Sequence, residues 1–461
     1  MTLTPEELHL IEELHEKLRR HDAQNSLLEK YYEGKQRLKD FKISIPPQLS
    51  TVESVVGWAG TSVQVLEERL DFEGWMGADA LELDTVYRAN DLDVESSLVH
   101  LDGFIFGTGF VVVGKGRSGE ADPLVTVESP KRMTGVYDLR LRRLTSALSL
   151  DRDTFGTPSS GTLYLPDVTV SFGYFNGRPV ETNRDEHRLG RLPVVALPNN
   201  PRSSNPNGRS EITPAVRSYT DSAMRTLLGA EVAREFYSAP QRYVLGADED
   251  IFLDSDGNEI NAWSVIQGRI LGIPANQDGQ MPQVGQFSAN DTRPYFEQIK
   301  AYAQMLSAET AIPASYLGFQ TDNPASADAI RQMEARLVKR AERRQKQFGR
   351  AWQEVARLAL LVRDGSIPQE AENLRPVWRD ASTPTRAASA DEAVKLIGAG
   401  VLSPDSEVVY NRVGLSDVDK QVVRAEKLNA QAGVMVANLA TAARAIATTP
   451  QTPPATDNAG Q

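Results

Sequence analysis

Residues 308–331 read AETAIPASYLGFQTDNPASADAIR, and this stretch decides the fold because it joins two helices through a short loop. Upstream, apolar residues recur at helical spacing over 291–311, and Ile312-Pro313 ends that helix. Downstream, Asn323 is a good capping residue and Pro324 suits the start of a helix that reaches about Arg363. The sequence therefore predicts a helix, a loop over 312–326 and an unusually long helix over 327–366.

The segment before this stretch combines another long helix with a small acidic insert. Residues 210–236 carry an apolar stripe at three- and four-residue spacing, which predicts a helix about 40 Å long at ~1.5 Å per residue. Residues 237–290 mix short β-rich runs, such as 242–245, with turns. Between Gly246 and Thr292 eight acids stand against one base, so this insert carries a net charge of −7.

The long helix is basic in an acidic chain. From Ala327 to Arg363 ten Lys and Arg stand against four acids, a net charge of +6, so the remainder of the −12 chain carries −18. The bases alternate around the helix, and three interpretations stay open: pairing with an acidic neighbouring subunit, a solvated face, or DNA binding. The overall negative charge favours pairing between subunits. The residues assigned to this role are Arg336, Lys339, Arg340, Arg343, Arg344 and Lys346.

Composition narrows the class of protein. The chain has 461 residues, five His and no Cys, which excludes disulfides, thiolate zinc sites, iron–sulfur clusters and cysteine nucleophiles. The acidic N-terminus is unlike a secretory signal peptide, and the longest apolar runs are far shorter than the ~20 residues of a membrane-spanning helix. We therefore expect neither a membrane nor a resident cofactor.

The two ends of the chain complete an α+β, mostly helical prediction. Thr4, Pro5 and Glu7 form a capping-box pattern that opens the first helix, and Asp22–Ser26 interrupts its apolar spacing. Helices are predicted at 51–70 and 90–103. β-Rich runs follow at 110–114, 124–129, 134–137, 144–150, 161–165 and 169–175. Short helices follow residue 367, then an Ala-rich helix over 429–447 and a disordered tail to residue 461.

Two motifs resemble ligand sites but fit poorly. Gly109–Lys115 matches seven positions of a phosphate-binding loop, but Gly116 replaces the Ser or Thr that holds magnesium, and the intervening residues read as a strand. Asp254–Glu259 resembles a calcium loop, but its glycine stands fourth rather than sixth. We interpret the first as a glycine-bounded strand and the second as a hairpin turn. No metal site is predicted.

Six blocks of sequence stand out in chain order: 30–45 (KYYEGKQRLKDFKISI), 63–75 (VQVLEERLDFEGW), 87–114 (YRANDLDVESSLVHLDGFIFGTGFVVVG), 187–198 (HRLGRLPVVALP), 308–331 and 377–402 (VWRDASTPTRAASADEAVKLIGAGVL). In this order they resemble the siphovirus Gp6-like portal family of tailed bacteriophages, and the resemblance covers most of residues 25–428.

The resemblance implies a portal fold of wing, stem, clip and crown, assembled as a ring. It assigns the parts in chain order: 1–209 wing domain, 210–236 first stem helix, 237–290 clip domain, 291–311 second stem helix, 312–326 tunnel loop, 327–366 long wing helix, 367–428 crown domain, and 429–461 helix and tail. The DNA-channel loop would use Ser315, Tyr316, Phe319, Gln320, Thr321, Asp322 and Asn323. The clip would dock its partners through Asp248, Glu249, Asp250, Asp254, Asp256 and Glu259.

The resemblance also implies partners and a place. A ring, usually of twelve copies, would sit at one capsid vertex of the virion after assembly in the host cytoplasm. It would contact the terminase large subunit, a head-completion (adaptor) protein, the major capsid protein and the scaffold. Double-stranded DNA would pass through it, independently of sequence, during packaging and ejection. Such a protein is a conduit and not an enzyme.

The charges agree with a conduit. A channel must let DNA slide, and each phosphate neutralised by a base adds affinity. The loop 313–323 contains no Lys or Arg, so the loop can contact DNA without binding its phosphates tightly. Two alternatives remain: an acidic, metal-dependent hydrolase using carboxylates in the 91–187 region, and another virion structural protein, such as a minor head protein.

Overall fold

The computed structural model describes residues 2–37, 54–77, 81–237, 242–246, 275, 279–286, 291–319, 327–382, 386–415 and 417–447. The chain divides into two compact units, residues 1–382 and 383–461. Helices and strands are mixed in the first unit and helices predominate overall, which confirms the α+β, mostly helical prediction. No described helix carries an apolar stretch sufficient to cross a membrane.

Elements are numbered in chain order within the described residues. The helices are α1 (Pro5–Tyr32), α2 (Trp58–Glu67), α3 (Leu83–Ala89), α4 (Leu92–Phe106), α5 (Pro214–Tyr237), α6 (Arg293–Thr310), α7 (Ala327–Asp364), α8 (Arg386–Gly398), α9 (Glu407–Val413) and α10 (Asp417–Ala447). The strands are β1 (Phe72–Met76), β2 (Thr108–Gly114), β3 (Leu124–Glu128), β4 (Met133–Asp138), β5 (Arg143–Arg152), β6 (Pro158–Tyr164), β7 (Thr169–Phe175), β8 (Arg178–Asp185), β9 (Val194–Pro198), β10 (Arg242–Leu245), β11 (Gln283–Gln286) and β12 (Arg375–Trp378).

Helix α1 is longer and more regular than its sequence pattern indicates. The predicted capping box is present: Thr4 accepts from the Glu7 amide, and Glu7 accepts from the Thr4 amide. The predicted break over 22–26 is wrong, because the helix continues to Tyr32. Its polar residues have partners in the β-region: Asp22 pairs with Arg152 at 2.7 Å, and buried Asn25 donates to the Pro130 carbonyl. These contacts with the β-region thus hold residues 22–26 in the helix, where the apolar spacing is interrupted.

Two antiparallel sheets form the β-rich region. Strands β4 to β8 make a five-stranded meander in sequence order, and Ile11, Leu14 and Leu18 of α1 pack on one face of it. In the second sheet β2 lies between β3 and β9. Gly109 lies within β2, where an added Cβ would stand 2.6 Å from both the side chain and the carbonyl of Val99 in α4. This confirms the prediction that Gly109–Lys115 is a glycine-bounded strand. Because Gly109 has no side chain, α4 can pack closely against β2.

The long helix α7 forms the centre of the first unit. Phe348 and Trp352 are fully buried; Phe348 stacks on His100 of α4 at 5.0 Å between ring centroids, and Trp352 stacks on Phe72 of β1 at 4.6 Å. Strand β12 pairs with β1 across about 300 residues of sequence, so residues 375–378 belong to the first unit. Neither strand is predicted from the sequence, because four or five residues show no clear alternation.

The second unit contains α8, α9 and α10. Arg412 of α9 pairs with Glu392 of α8 at 2.5 Å. The last of the short helices predicted after residue 367 and the Ala-rich helix predicted over 429–447 form one continuous helix, α10. The predicted disordered tail, 448–461, lies outside the described residues.

Candidate functional site

The two helices that the resemblance assigns to a stem are present as helices and pack on each other. Predicted at 210–236 and 291–311, they appear as α5 and α6. Small residues face the contact: Ala303 is fully buried, and a Cβ on Gly229 would lie 3.5 Å from the Tyr295 ring. The C-terminal part of α5 therefore lies beside the N-terminal part of α6. The end of α5 and the start of α6, between which the insert lies in sequence, are thus at the same end of the pair.

Part of α6 remains uncovered within the chain. Phe296 and Met305 are 57% and 50% exposed, on opposite flanks of the face that contacts α5. Helix α5 is held elsewhere by α1: the Tyr31 hydroxyl donates to both carboxylate oxygens of Asp221 at 2.9 Å. Burial and this bond raise the pKa of Tyr31 to about 12.

The described part of the insert is a two-stranded antiparallel ribbon. Strand β10 matches the predicted run 242–245, and it pairs with β11, which is not predicted. The predicted turn 254–259 lies outside the described residues. So do all six acids assigned to partner docking: Asp248, Glu249, Asp250, Asp254, Asp256 and Glu259.

The loop after α6 is anchored to its own chain at its start. Residues Ala314–Leu317 form a single 3₁₀ turn whose Leu317 is buried, and Ser315 is exposed. Phe319 packs edge-on against Trp58 of α2, with ring centroids 6.4 Å apart. The four remaining predicted loop residues, Gln320, Thr321, Asp322 and Asn323, lie outside the described residues.

Tyr316 is the hydrogen-bonding member of this anchor. Its hydroxyl donates to Glu334 of α7 and accepts from Arg69 at 3.3 Å. Arg69, buried, also pairs with Glu334 at 3.4 Å and donates to the Ala381 carbonyl at 2.8 Å. Burial and the bond to Glu334 raise the pKa of Tyr316. The first half of the loop is thereby tied to α7, and its position depends on that helix.

A buried ion cluster ties α7 to the start of α5. Glu211, just before α5, accepts from Arg344 at 2.6 and 3.1 Å, from Arg340 at 2.6 Å and from Asn199 at 3.1 Å. Burial alone would raise the pKa of Glu211, but the charges of Arg344 and Arg340 and the hydrogen bonds outweigh it and hold that pKa below its usual value. Glu211 is therefore ionised and fully paired.

This cluster gives two of the bases in the predicted inter-subunit set a partner within their own chain. Arg340 and Arg344 are assigned by sequence to contacts between subunits, but both pair with Glu211 of their own chain, and Arg344 is 3% exposed. Helical sequence position cannot reveal this, because the carboxylate comes from a residue more than 120 positions away. Glu211, Arg69 and Trp58 carry no local signal that would have identified them.

Five of the other eight bases of α7 lie along one face of the helix, although the ten bases together alternate around it. Residues three and four apart lie on the same face of a helix. We define the basic stripe as Arg336, Lys339, Arg343, Lys346 and Arg350, all exposed at this spacing. No acid among the described residues lies within ion-pairing distance of the last four. The stripe is thus an uncompensated positive surface on the side of α7 away from Phe348.

Metal chemistry finds no support among the described residues. They contain no group of three or more His, Asp and Glu side chains arranged to hold a metal ion. In the 91–187 region His100 is fully buried, accepts from the Trp352 indole at 2.9 Å and has its pKa lowered to about 3 by burial. The hydrolase alternative thus gains no candidate centre from this region.

Comparison with known proteins decides the family. The model of the family described as "Phage portal protein, SPP1 Gp6-like" matches residues 13–432. The chain belongs to this phage portal protein family. It is 35% identical over 410 residues to the portal protein of Mycobacterium phage D29, covering 86% of this chain and 83% of that protein. It is 34% identical over 384 residues to the portal protein of Mycobacterium phage L5, covering 80% and 78%.

This portal-family chain also aligns with solved structures at low sequence identity. A chain from the virion of a native gene transfer agent particle aligns over 78% of this chain and 90% of its own length, with a TM-score of 0.42 and 14% identity. A chain from the neck of the same kind of particle gives the same coverage and TM-score at 13% identity. The resemblance predicted from the six sequence blocks is confirmed by the family match, and the chain is a structural component of the virion.

Proposed function

We propose that identical copies of this chain assemble into a ring, a dodecamer as is usual in the family, at one capsid vertex, and that duplex DNA passes through the ring during packaging and ejection. The family match over residues 13–432 carries this proposal. The helix pair α5 and α6 supports it, since exposed Phe296 and Met305 offer one apolar contact on each flank. A ring of identical subunits needs a contact on both sides, because its interfaces are head-to-tail.

The loop between α6 and α7 is proposed to line the channel. Its start is held by Tyr316 and Phe319, which leaves Ser315 and the segment 320–323 as candidates for DNA contact. This segment has no Lys or Arg in its sequence. A neutral or negative lining neutralises no phosphates and therefore releases no counterions. It adds no affinity for DNA, so the DNA can slide past it.

The basic stripe is proposed to contact the neighbouring copy. Like charges three and four residues apart on a helix repel, and the stripe finds no compensating acid among the described residues of its own chain. The chain outside 327–363 carries −18, so a second copy offers a predominantly acidic surface. Of the residues first assigned to this role, Arg336, Lys339, Arg343 and Lys346 retain it. DNA binding by the same stripe is the alternative.

The insert 237–290 is proposed as the clip that docks the terminase large subunit and then the head-completion protein. Its support is its position at one end of the α5–α6 pair and its charge of −7 between residues 246 and 292. Deleting residues 247–282 should leave ring assembly intact and abolish terminase pull-down. If both terminase binding and assembly survive the deletion, the clip assignment is wrong.

The remaining proposals concern place and activity. The portal ring is proposed to assemble in the host cytoplasm with scaffold and major capsid protein, and to act as a conduit rather than an enzyme. Negative-stain electron microscopy of the purified protein is the direct test. We expect rings with a central opening wide enough to admit B-form duplex DNA. Compact single particles under every assembly condition would contradict the proposal.

A further inference from the structure

The turn between β4 and β5 presents apolar and basic side chains to solvent. It consists of Leu139, Arg140, Leu141 and Arg142, and the two leucines are 63% and 51% exposed. Asp138 fixes the turn, since one of its carboxylate oxygens accepts from the amides of Arg140 and Leu141, both at 2.7 Å. No acid in the described part of the chain lies within ion-pairing distance of either arginine. We call these four exposed turn residues the β4–β5 tip.

The start of α4 presents a complementary surface. Val94 and Leu98 are 57% and 47% exposed, and their four-residue spacing makes them neighbours on the helix surface. Asp91 and Asp93 are exposed beside them and Glu95 is half-buried. None of the three carboxylates has a base within ion-pairing distance among the described residues. We call these five residues the α4 outer face, which combines an apolar centre with three negative charges.

The two surfaces lie on opposite sides of the three-stranded sheet. Side chains alternate along β2, so successive residues point to opposite faces of that sheet. Val111 belongs to the core that includes Val99 of α4. Phe110 belongs to the core that includes Leu144 of β5, two residues after the tip. The sheet therefore stands between the β4–β5 tip and α4, and the two surfaces cannot meet within one copy.

We infer that the β4–β5 tip of one copy docks on the α4 outer face of the next copy. The two leucines of the tip then cover Val94 and Leu98, and its two arginines meet the surrounding carboxylates. Two independent matches select this partner, apolar against apolar and positive against negative. Duplex DNA satisfies only the charge, since a phosphate backbone offers the leucines no apolar surface.

The contact is head-to-tail, because the two surfaces that meet are different. Such a contact uses one surface on each side of every copy, and it closes into a ring when the rotation between copies allows. The inference rests on the proposed self-assembly of this chain and names two surfaces through which neighbouring copies meet. It does not involve the basic stripe of α7, so the two contacts are tested separately.

Cross-linking between cysteines tests the contact, because the chain has no cysteine of its own. The test variant carries Leu141→Cys on the tip and Leu98→Cys on the α4 outer face. The matched control carries Leu141→Cys with Val180→Cys, because Val180 of β8 is 44% exposed, close to the 47% of Leu98. A short bismaleimide is added to each full-length protein. We expect a ladder of dimers, trimers and higher multimers from the test variant, at least about tenfold more than from the control, since a head-to-tail contact joins each copy to two others.

Charge reversal with rescue tests the complementarity. In the test variant, adding Arg140→Glu with Arg142→Glu places acids against acids, so the ladder should fall at least about tenfold. Further addition of Asp91→Lys and Glu95→Lys restores opposite charges across the contact and should recover the ladder. A turn that was merely damaged by the first pair of changes would not be rescued by changes in another element.

The outcomes separate this contact from the proposed ring. If electron microscopy shows rings and the ladder does not exceed the control, the contact is wrong and the ring stands. If the ladder forms and no closed rings appear, the contact stands and the proposed ring fails. Products that stop at the dimer indicate a symmetric pair and overturn the inference. Charge reversal that leaves the ladder intact but abolishes DNA binding assigns the tip to DNA and also overturns it.

Discussion

Glu211 and Arg344 lie 133 positions apart in the chain, yet a carboxylate oxygen of the first accepts from the guanidinium of the second at 2.6 Å. Both side chains are buried, and Arg340 and Asn199 complete the coordination of the carboxylate. The pair joins the segment just before α5 to the middle of α7. Because Tyr316 ties the start of the loop after α6 to the same helix, α7 connects that loop to α5.

Breaking this pair should be costly. Glu211→Gln leaves Arg344 buried without a counter-charge, and loss of one partner of a buried ion pair costs about 3–5 kcal/mol of unfolding free energy. Denaturant unfolding at fixed protein concentration measures the change. The control is Glu342→Gln, an exposed acid on the same helix, which should stay within about 0.5 kcal/mol of the parent. Equal effects of the two changes would show that the cluster adds nothing.

Asp102 should make stability fall as pH rises. Burial raises the pKa of Asp102 from 3.8 to about 6, against weaker lowering by a hydrogen bond from Ser129 and by Lys131. The folded protein therefore holds this proton more tightly than the unfolded chain. Its contribution is fully present below pH 3.8 and is lost as pH rises to about 6. At most about 3 kcal/mol is involved, from ~1.36 kcal/mol per pH unit.

The variant Asp102→Asn tests the origin of this slope. The amide cannot ionise, so the unfolding free energy of the variant should change less between pH 4 and pH 6 than that of the parent. Burial raises the pKa of Glu67 and Glu128 in the same direction, so some slope remains. Asp93→Asn, an exposed acid on the same helix, should leave the profile unchanged. A parent profile that is flat over this range would contradict the assignment.

Gly109 should not tolerate a side chain. Gly109→Ala places a methyl group 2.6 Å from both the side chain and the carbonyl oxygen of Val99. Such overpacking costs about 1–3 kcal/mol of unfolding free energy. Gly114→Ala in the same strand is the control, because nothing lies within 4 Å of its Cβ position. Thermal unfolding of the two variants should differ clearly. A phosphate-loop role would instead predict nucleotide-dependent stabilisation of the parent, which we do not expect.

Positive charge in the proposed channel loop should slow the passage of DNA. Replacing Gln320 and Asn323 with Lys adds phosphate contacts to every subunit, and each contact raises DNA affinity through counterion release. We expect a lower packaging rate in a reconstituted motor assay, partly restored by added salt. Replacing the same residues with Ser is the control and should package normally. Unchanged rates in the Lys variant would refute the low-friction argument.

Reversing the basic stripe should weaken the ring. Arg343→Glu with Lys346→Glu converts attraction for the acidic neighbour into repulsion, so the fraction of protein in rings should fall. Mass photometry at several salt concentrations measures that fraction. The control reverses Lys115 and Arg117, exposed bases in the β2–β3 loop, and should leave assembly unchanged. Normal rings combined with lost DNA binding in the stripe variant would indicate the DNA alternative.

Local patterns predicted much of the framework correctly. The capping box at Thr4, the apolar stripes of α5 and α6, and the long helix after Pro324 are all present, because each depends on spacing within a few turns. The strands β1 and β12 were not predicted, because each is short and pairs with a strand about 300 residues away in the sequence. The interruption predicted within α1 is absent for a related reason. Arg152 pairs with Asp22 and the Pro130 carbonyl accepts from Asn25, and both partners lie far from the helix in sequence.

The sequence by itself determined the order of the elements, the acidic insert, the charge difference between α7 and the rest, and the portal family, since all of these are linear properties of the chain. Only the tertiary structure decided which bases are free. It placed Glu211 against Arg340 and Arg344, left the basic stripe exposed, and bound Tyr316 to Glu334 and Arg69. A buried charge must be neutralised by whichever group the fold brings near it, and that group is rarely a neighbour in sequence.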